Sequence, residues 1–177
     1  MKGTAFTIAP WRAQHMPELT DLWVAAWTQA MPQINFEARR PWLGDHLDAL
    51  HMRDYVTRCA LAPDGSLAGF MTLHPQSGEL DQIAVAPLHA RCGVGRMLIA
   101  EARQLAPGRI TLSVNQANVA ARRFYAREGF IVTGEGVNAL SGLATLRMLW
   151  ARSAPNLLQS PHDHSEPPPA LARKARG

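Results

Sequence analysis

Two stretches of the chain combine residue types and spacings that can do chemistry. The first runs from Leu80 through Ala90-Arg91-Cys92-Gly93-Val94-Gly95-Arg96. Two glycines one residue apart let successive backbone N–H groups turn toward a common point, and a helix starting there adds its positive end. A pyrophosphate suits such a loop, although a tight strand-to-helix turn alone would also want glycine. Leu98 stands where a dinucleotide fingerprint needs its third glycine, and no Gly-Lys-Ser/Thr follows, which excludes a Rossmann or P-loop site. In the second stretch Asn118, Ala121 and Tyr125 recur at steps of three and four, so a helix would place them on one face. A capping amide, a small side chain and a phenol then line a groove. The competing reading makes Phe124 and Tyr125 core aromatics and Asn118 a cap.

The elements that must position these residues are legible from apolar spacing. Phe6 and Ile8 alternate in a first strand. Met16, Leu19, Leu22, Trp23, Ala26, Trp27 and Ala30 mark a helix over 16–30, ended before Pro32, and a second helix runs through Trp42, Leu43, Leu47 and Leu50. Tyr55–Leu61 and Leu67–Leu73 flank Pro63-Asp64-Gly65 as an antiparallel hairpin. Strand Leu80–Val85 leads into a helix from about Gly95 to Leu105, closed by Pro107-Gly108. A strand carrying Ile110, Leu112 and Val114 precedes a helix from Asn118 to Gly129, and strands Phe130–Thr133 and Ala144–Trp150 finish the domain. The expected order is β-α-α-β-β-β-α-β-α-β-β, an α/β (α+β) domain over residues 1–152.

With 177 residues, 47% hydrophobic and 18% charged, the chain can bury one sizeable core. No run of 18 apolar residues and no signal-peptide pattern occurs, so a cytoplasmic protein without a membrane partner is expected. Cys59 and Cys92 are too few for a disulfide framework, and no metal site is expected. Residues 153–177 hold five prolines and few apolar side chains, and are expected to form a disordered, Pro-rich basic tail. Charge is divided unevenly. Residues 1–90 carry six Lys/Arg against nine Asp/Glu, whereas residues 91–152 carry nine against three. The basic half suits an anion and the acidic half a cation.

In this order, about 20 residues apart, the two stretches resemble the GNAT superfamily of N-acetyltransferases, over residues 6–150. Ala90 stands where that family usually has Gln or Arg; Asn118 to Phe130 matches at every defined position. The resemblance implies a mixed, mainly antiparallel twisted sheet flanked by helices, and acetyl-coenzyme A as cosubstrate. It implies that Arg91, Cys92, Gly93, Val94, Gly95 and Arg96 wrap the pyrophosphate, and that Asn118 and Ala121 lie beside the pantetheine arm. Main-chain groups of Ile83, Ala84 and Val85 are expected to bond that arm where strand 80–85 splays from strand 109–114. Tyr125 takes the position of the acid that protonates the departing thiolate. Glu79 is the expected base, acting through water, with Asp81 and His74 as neighbours able to replace it. Trp27, Phe36 and Trp42, near Glu37, Asp45 and Asp48, would form an aromatic and acidic pocket for a cationic amine, unless the tryptophans are simply core. The implied acceptor is a primary amine of a small molecule or peptide, and a homodimer is left open. The rivals are a non-catalytic acyl-coenzyme A sensor and a basic nucleic-acid binder. The latter lacks a helix-turn-helix, zinc or RNP signature.

Overall fold

Leu19, Leu22, Trp23 and Val24 bury one face of helix α1 (Met16–Ala30), and Leu43, Leu47 and Leu50 one face of α2 (Arg40–His51). Both are amphipathic, begin with proline in the first turn, and cover the same side of the sheet. The computed structural model describes residues 5–152, and the expectation for the tail falls outside the described residues. Around these helices run β1 (Thr7–Pro10), β2 (Val56–Leu61), β3 (Leu67–His74), β4 (Glu79–Val85), α3 (Val94–Leu105), β5 (Arg109–Asn115), α4 (Val119–Arg127), β6 (Ile131–Val137) and β7 (Ala144–Ala151). The expected order of elements is the observed one. No helix among the described residues is long and apolar enough to cross a membrane.

The sheet has seven strands in the order β1-β2-β3-β4-β5-β7-β6. Every neighbouring pair is antiparallel except β4 and β5. One apolar cluster packs α3 and α4 on one face, around Met71, Leu98, Ile99, Ile110 and Tyr125; the other packs α1 and α2 on the opposite face, around Leu19, Trp23, Leu43 and Phe70. β3 is buried almost throughout, as expected of a central strand covered on both sides.

Two strands differ from the sequence expectation. β6 continues to Val137, four residues past the expected end at Thr133. Its second half, Gly134-Glu135-Gly136, has no apolar alternation; pairing to β7 across a register shift between Val132 and Gly134 holds it extended. β4 contains a bulge. Thr72 pairs with Gln82 but Leu73 pairs with Leu80, leaving Asp81 without a partner on β3.

β4 and β5 touch at a single bridge, Glu79 to Thr111, supported by Thr111 N–H donating to Gly78 O at 2.9 Å. Gly78 has φ +76°, and a Cβ there would lie 2.1 Å from Arg109 O. Only glycine permits both that conformation and that approach. Beyond this joint the two strands separate, and a V opens in the middle of the sheet.

Candidate active site

The open edge of β4 forms one wall of the V. Ala86 N–H donates to Ala68 O at 2.9 Å, and a Cβ on Gly69 would lie 2.8 Å from Ala84 O, so Ala86 and Ala84 turn their polar groups toward β3. Main-chain direction alternates along a strand, and therefore Ile83 and Val85 present theirs to the V. Ala84 does not line it: its main chain faces β3 and its methyl is buried against α1 and α2. Of the three residues expected to bond a ligand here, Ile83 and Val85 turn their main chain into the V and Ala84 turns away from it.

The V leads to the glycine loop. Gly93 caps α3 with φ +87°, without a side-chain cap. The N–H groups of Val94, Gly95 and Arg96 meet no acceptor among the described residues. Together with the helix dipole, such open N–H groups are able to accept an anion. A Cβ on Gly93 would point into open space, whereas one on Gly95 would lie 3.2 Å from Phe124 Cζ. Gly95 is thus small because an aromatic ring of α4 packs on it, a reason the loop spacing did not suggest. Arg91 sits at φ +63° beside the exposed Cys92. Arg96 is 77% exposed, and its Nε lies 3.3 Å from Glu128, which also takes Arg103.

Asn118 caps α4, its Oδ1 accepting from Ala121 N–H at 3.1 Å. The far end of α4 closes with Phe130 N–H donating to Tyr125 O and Gly129 N–H to Ala126 O, both at 3.0 Å. This is a Schellman arrangement, and it lays Phe130 edge-on against Tyr125 at 5.6 Å. Tyr125 is the buried residue of α4, flanked by Phe124 and Phe130 rather than lying open in a groove. Burial pushes its phenol well above the ordinary value, so it holds its proton. Its hydroxyl has no protein partner among the described residues.

On the α1 and α2 face lies an aromatic cluster. Trp27 stacks on Phe36 at 5.7 Å, Trp23 meets Phe36 edge-on at 5.4 Å, and Trp42 stacks on His46 at 4.4 Å. Phe36 is only 4% exposed and serves as core, which removes it from the expected pocket; Trp27 and Trp42 are half-buried at its margin. Glu37 is drawn outward to Arg40, which also reaches Asp21. Asp45 and Asp48 lie on α2, where Asp48 neighbours His51.

Three further residues were not singled out by the sequence. Trp23 Nε1–H donates to Gln82 Oε1 at 3.0 Å, Gln82 Nε2–H donates to Asp81 Oδ1 at 3.0 Å, and His46 Nε2 lies 2.7 Å from the same oxygen. The helical spacing assigned Trp23 to the core stripe, and nothing local marked Gln82 or His46. Of the expected carboxylates, Glu79 accepts from Tyr55 O–H at 2.6 Å. Burial and that bond raise the Tyr55 phenol to about 12. His74 Nδ1 accepts from Ser77 N–H in the β3–β4 turn.

The profile of the acetyltransferase (GNAT) family matches residues 15–130, about two-thirds of the chain. The chain belongs to the GNAT acetyltransferase family. Over 66 residues it is 42% identical to the peptidyl-lysine N-acetyltransferase YjaB of Escherichia coli K12, an alignment covering 37% of this chain and 43% of YjaB. The Salmonella typhimurium YjaB aligns similarly, at 43% identity over 67 residues. The chain thus spans under half the length of the curated relatives it matches. The solution structure of apo YjaB superposes with a TM-score of 0.68 at 27% identity, covering 82% of this chain and 97% of that one. The PaiA N-acetyltransferase of Thermoplasma acidophilum, solved with coenzyme A, gives a TM-score of 0.71 at 19% identity over 84% of this chain and 99% of that one; this likeness concerns the fold. The V and the loop at its mouth are features of this GNAT domain, and their open polar groups fit coenzyme A: an amide-bearing pantetheine arm for the strand edge and a pyrophosphate for the helix N-terminus.

Proposed function

We propose that the protein transfers the acetyl group of acetyl-coenzyme A to a primary amine of a small molecule or peptide. The observation that carries this reading is the opening of β4 from β5 beside a glycine-capped helix with open N–H groups. When bound, acetyl-coenzyme A supplies the acetyl group as an activated thioester. Ile83 and Val85 hold the arm, and Val94, Gly95, Arg96 and the Arg91 side chain hold the phosphates. The Ile83 N–H, turned into the V, is the donor for the carbonyl oxygen. Tyr125 keeps its proton until a thiolate can take it. The β4 carboxylates, Glu79 or Asp81, take the proton that an ammonium must lose before its nitrogen can attack.

The acceptor approaches from the α1 and α2 face, where Trp27, Trp42 and the β4 carboxylates favour a cation. The name of the YjaB relatives supports including a lysine side chain among the candidates. The two unpaired cysteines and the expectation from composition support a cytoplasmic setting.

A panel of polyamines, amino acids, aminoglycosides and lysine peptides, incubated with acetyl-coenzyme A and read as free thiol, tests the reading. Amine-dependent thiol release is expected for at least one class. Coenzyme A binding without release from any amine would make the protein an acyl-coenzyme A sensor instead.

A further inference from the structure

Glu79 and Asp81 lie two residues apart on β4, yet their settings differ. Glu79 sits at the joint, where β4 still pairs with β5, and Tyr55 bonds its Oε2. Asp81 is the extra residue of the bulge, in the part of β4 that has left β5. One of its oxygens is held from two sides. Indole N–H can only donate, so Trp23 fixes the Gln82 amide with Oε1 toward itself and Nε2 toward Asp81. An ionised carboxylate can only accept, so His46 presents Nε2–H to the same Oδ1. Trp42, stacked within 16° of parallel, fixes the plane of the His46 ring. Both donors converge on Oδ1, and Oδ2 has no partner among the described residues. The Asp81 side chain is 22% exposed and His46 25%, so the carboxylate is reachable but not adrift in solvent.

We infer that Asp81, through Oδ2, takes the acceptor's proton, and that His46 is the positioning residue that aims it. This rests on the acetyl-transfer reading above. The ammonium gives one proton to Asp81, which passes it to solvent, and the freed nitrogen pair forms the new C–N bond as the C–S bond breaks. The Tyr125 proton goes to the leaving sulfur, and the second proton shed by nitrogen replaces it. The aromatic cluster thus acts twice, as a wall for the cation and as the frame of a clamp running Trp23, Gln82, Asp81, His46 and Trp42.

The test uses an amine that the panel shows to be acetylated. Asp81→Asn should lower kcat by about 10²–10³-fold, as removal of a positioned base does, with KM for acetyl-coenzyme A within about twofold of wild type. The loss should exceed that of Glu79→Gln by at least about tenfold. His46→Phe keeps the stack on Trp42 and removes the donor; kcat should fall about tenfold, and His46→Gln, which can still donate, should recover most of it. Imidazole nitrogen shifts in the free protein give a readout independent of turnover: His46 should be the Nε2–H tautomer and lose that preference in Asp81→Ala, which leaves no side-chain acceptor at that position. Three results would overturn the inference: His46→Phe at the wild-type rate, a larger loss in Glu79→Gln than in Asp81→Asn, or a His46 tautomer indifferent to Asp81. If the wild-type protein acetylates no amine at all, the transfer reading itself falls, and this inference with it.

Discussion

The halves of the sheet that meet at Gly78 differ in the kind of polar group they leave open. From β5 onward, with the loop that caps α3, the open groups are mostly main chain: the N–H groups of Val94, Gly95 and Arg96, set in a stretch rich in arginine. On the β4 side, besides the open main chain of Ile83 and Val85, side chains from three elements converge: Trp23 of α1, His46 of α2, and Asp81 and Gln82 of β4. A backbone cradle tolerates many sequences so long as glycine stands where φ is positive. A clamp of side chains tolerates few, because each member fixes the next.

The joint should be the most sensitive single point, because both halves depend on it. Gly78→Ala places a Cβ against Arg109 O in a left-handed conformation, so β4 and β5 must separate at their one bridge. A loss of about 3 kcal/mol or more in chemical denaturation is expected from strain and the broken approach together. A variant within about 1 kcal/mol of wild type would mean that the V is not pinned there.

In the second half Tyr125 is the one side chain to which a chemical role is proposed, which makes Tyr125→Phe the next most telling change. The ring stays between Phe124 and Phe130, and only the unbonded hydroxyl goes. The chemical step should slow by about 10²-fold, the lower end for a positioned acid, since a thiolate leaves readily. Single-turnover rates measure this directly. Equal rates in a folded variant would return Tyr125 to its packing role at the end of α4.

Gly93→Val probes the cradle itself. Valine at φ +87° is strained, and its branches would enter the open space in front of the N–H groups. Coenzyme A affinity should fall by about tenfold or more, a cost of roughly 1.4 kcal/mol, while acceptor KM is little changed. Gly95→Ala is the informative partner, since its Cβ meets Phe124 and should cost stability before affinity. Should the two variants lose affinity alike, the distinction drawn between these glycines would be wrong.

The same contrast decides what could be read in advance. Helices α1 to α4 were visible as apolar faces with prolines or glycines at their ends, and the Asn118 cap and Gly93 loop as local residue chemistry. Those signals lie within a few positions of one another. The clamp has no such signature, because Trp23 and Gln82 are 59 residues apart, His46 and Asp81 are 35 apart, and no residue type announces the bulge at Asp81. Phe36 looked like a pocket residue because aromatics near carboxylates suit a cation. Its burial depends on how α1 and α2 pack, which composition cannot convey. Ala84 was included with Ile83 and Val85 because register against β3, not residue type, decides which of them turns outward.

The smallest effect concerns a polar chain inside the first half. His51 closes α2, its Nε2 lies 2.8 Å from Thr57 Oγ1, that hydroxyl lies 2.8 Å from Thr72 Oγ1, and the Trp11 ring packs on the imidazole at 4.8 Å. Burial lowers the His51 pKa from its ordinary 6.5, and Asp48 partly offsets this. The folded protein therefore prefers neutral imidazole, while the unfolded chain takes up a proton below 6.5. The stability His51 contributes is complete above that value and is lost as pH falls through the lowered folded value, below which it changes no further. His51→Gln keeps a polar group beside Thr57 and cannot titrate, so its stability should fall less steeply than wild type on acidification. Urea midpoints for both proteins at pH 7.5 and 5.5 measure the difference. Parallel shifts in the two proteins would show that the first half is as indifferent to His51 protonation as the backbone cradle of the second half, which holds no histidine among its open N–H groups.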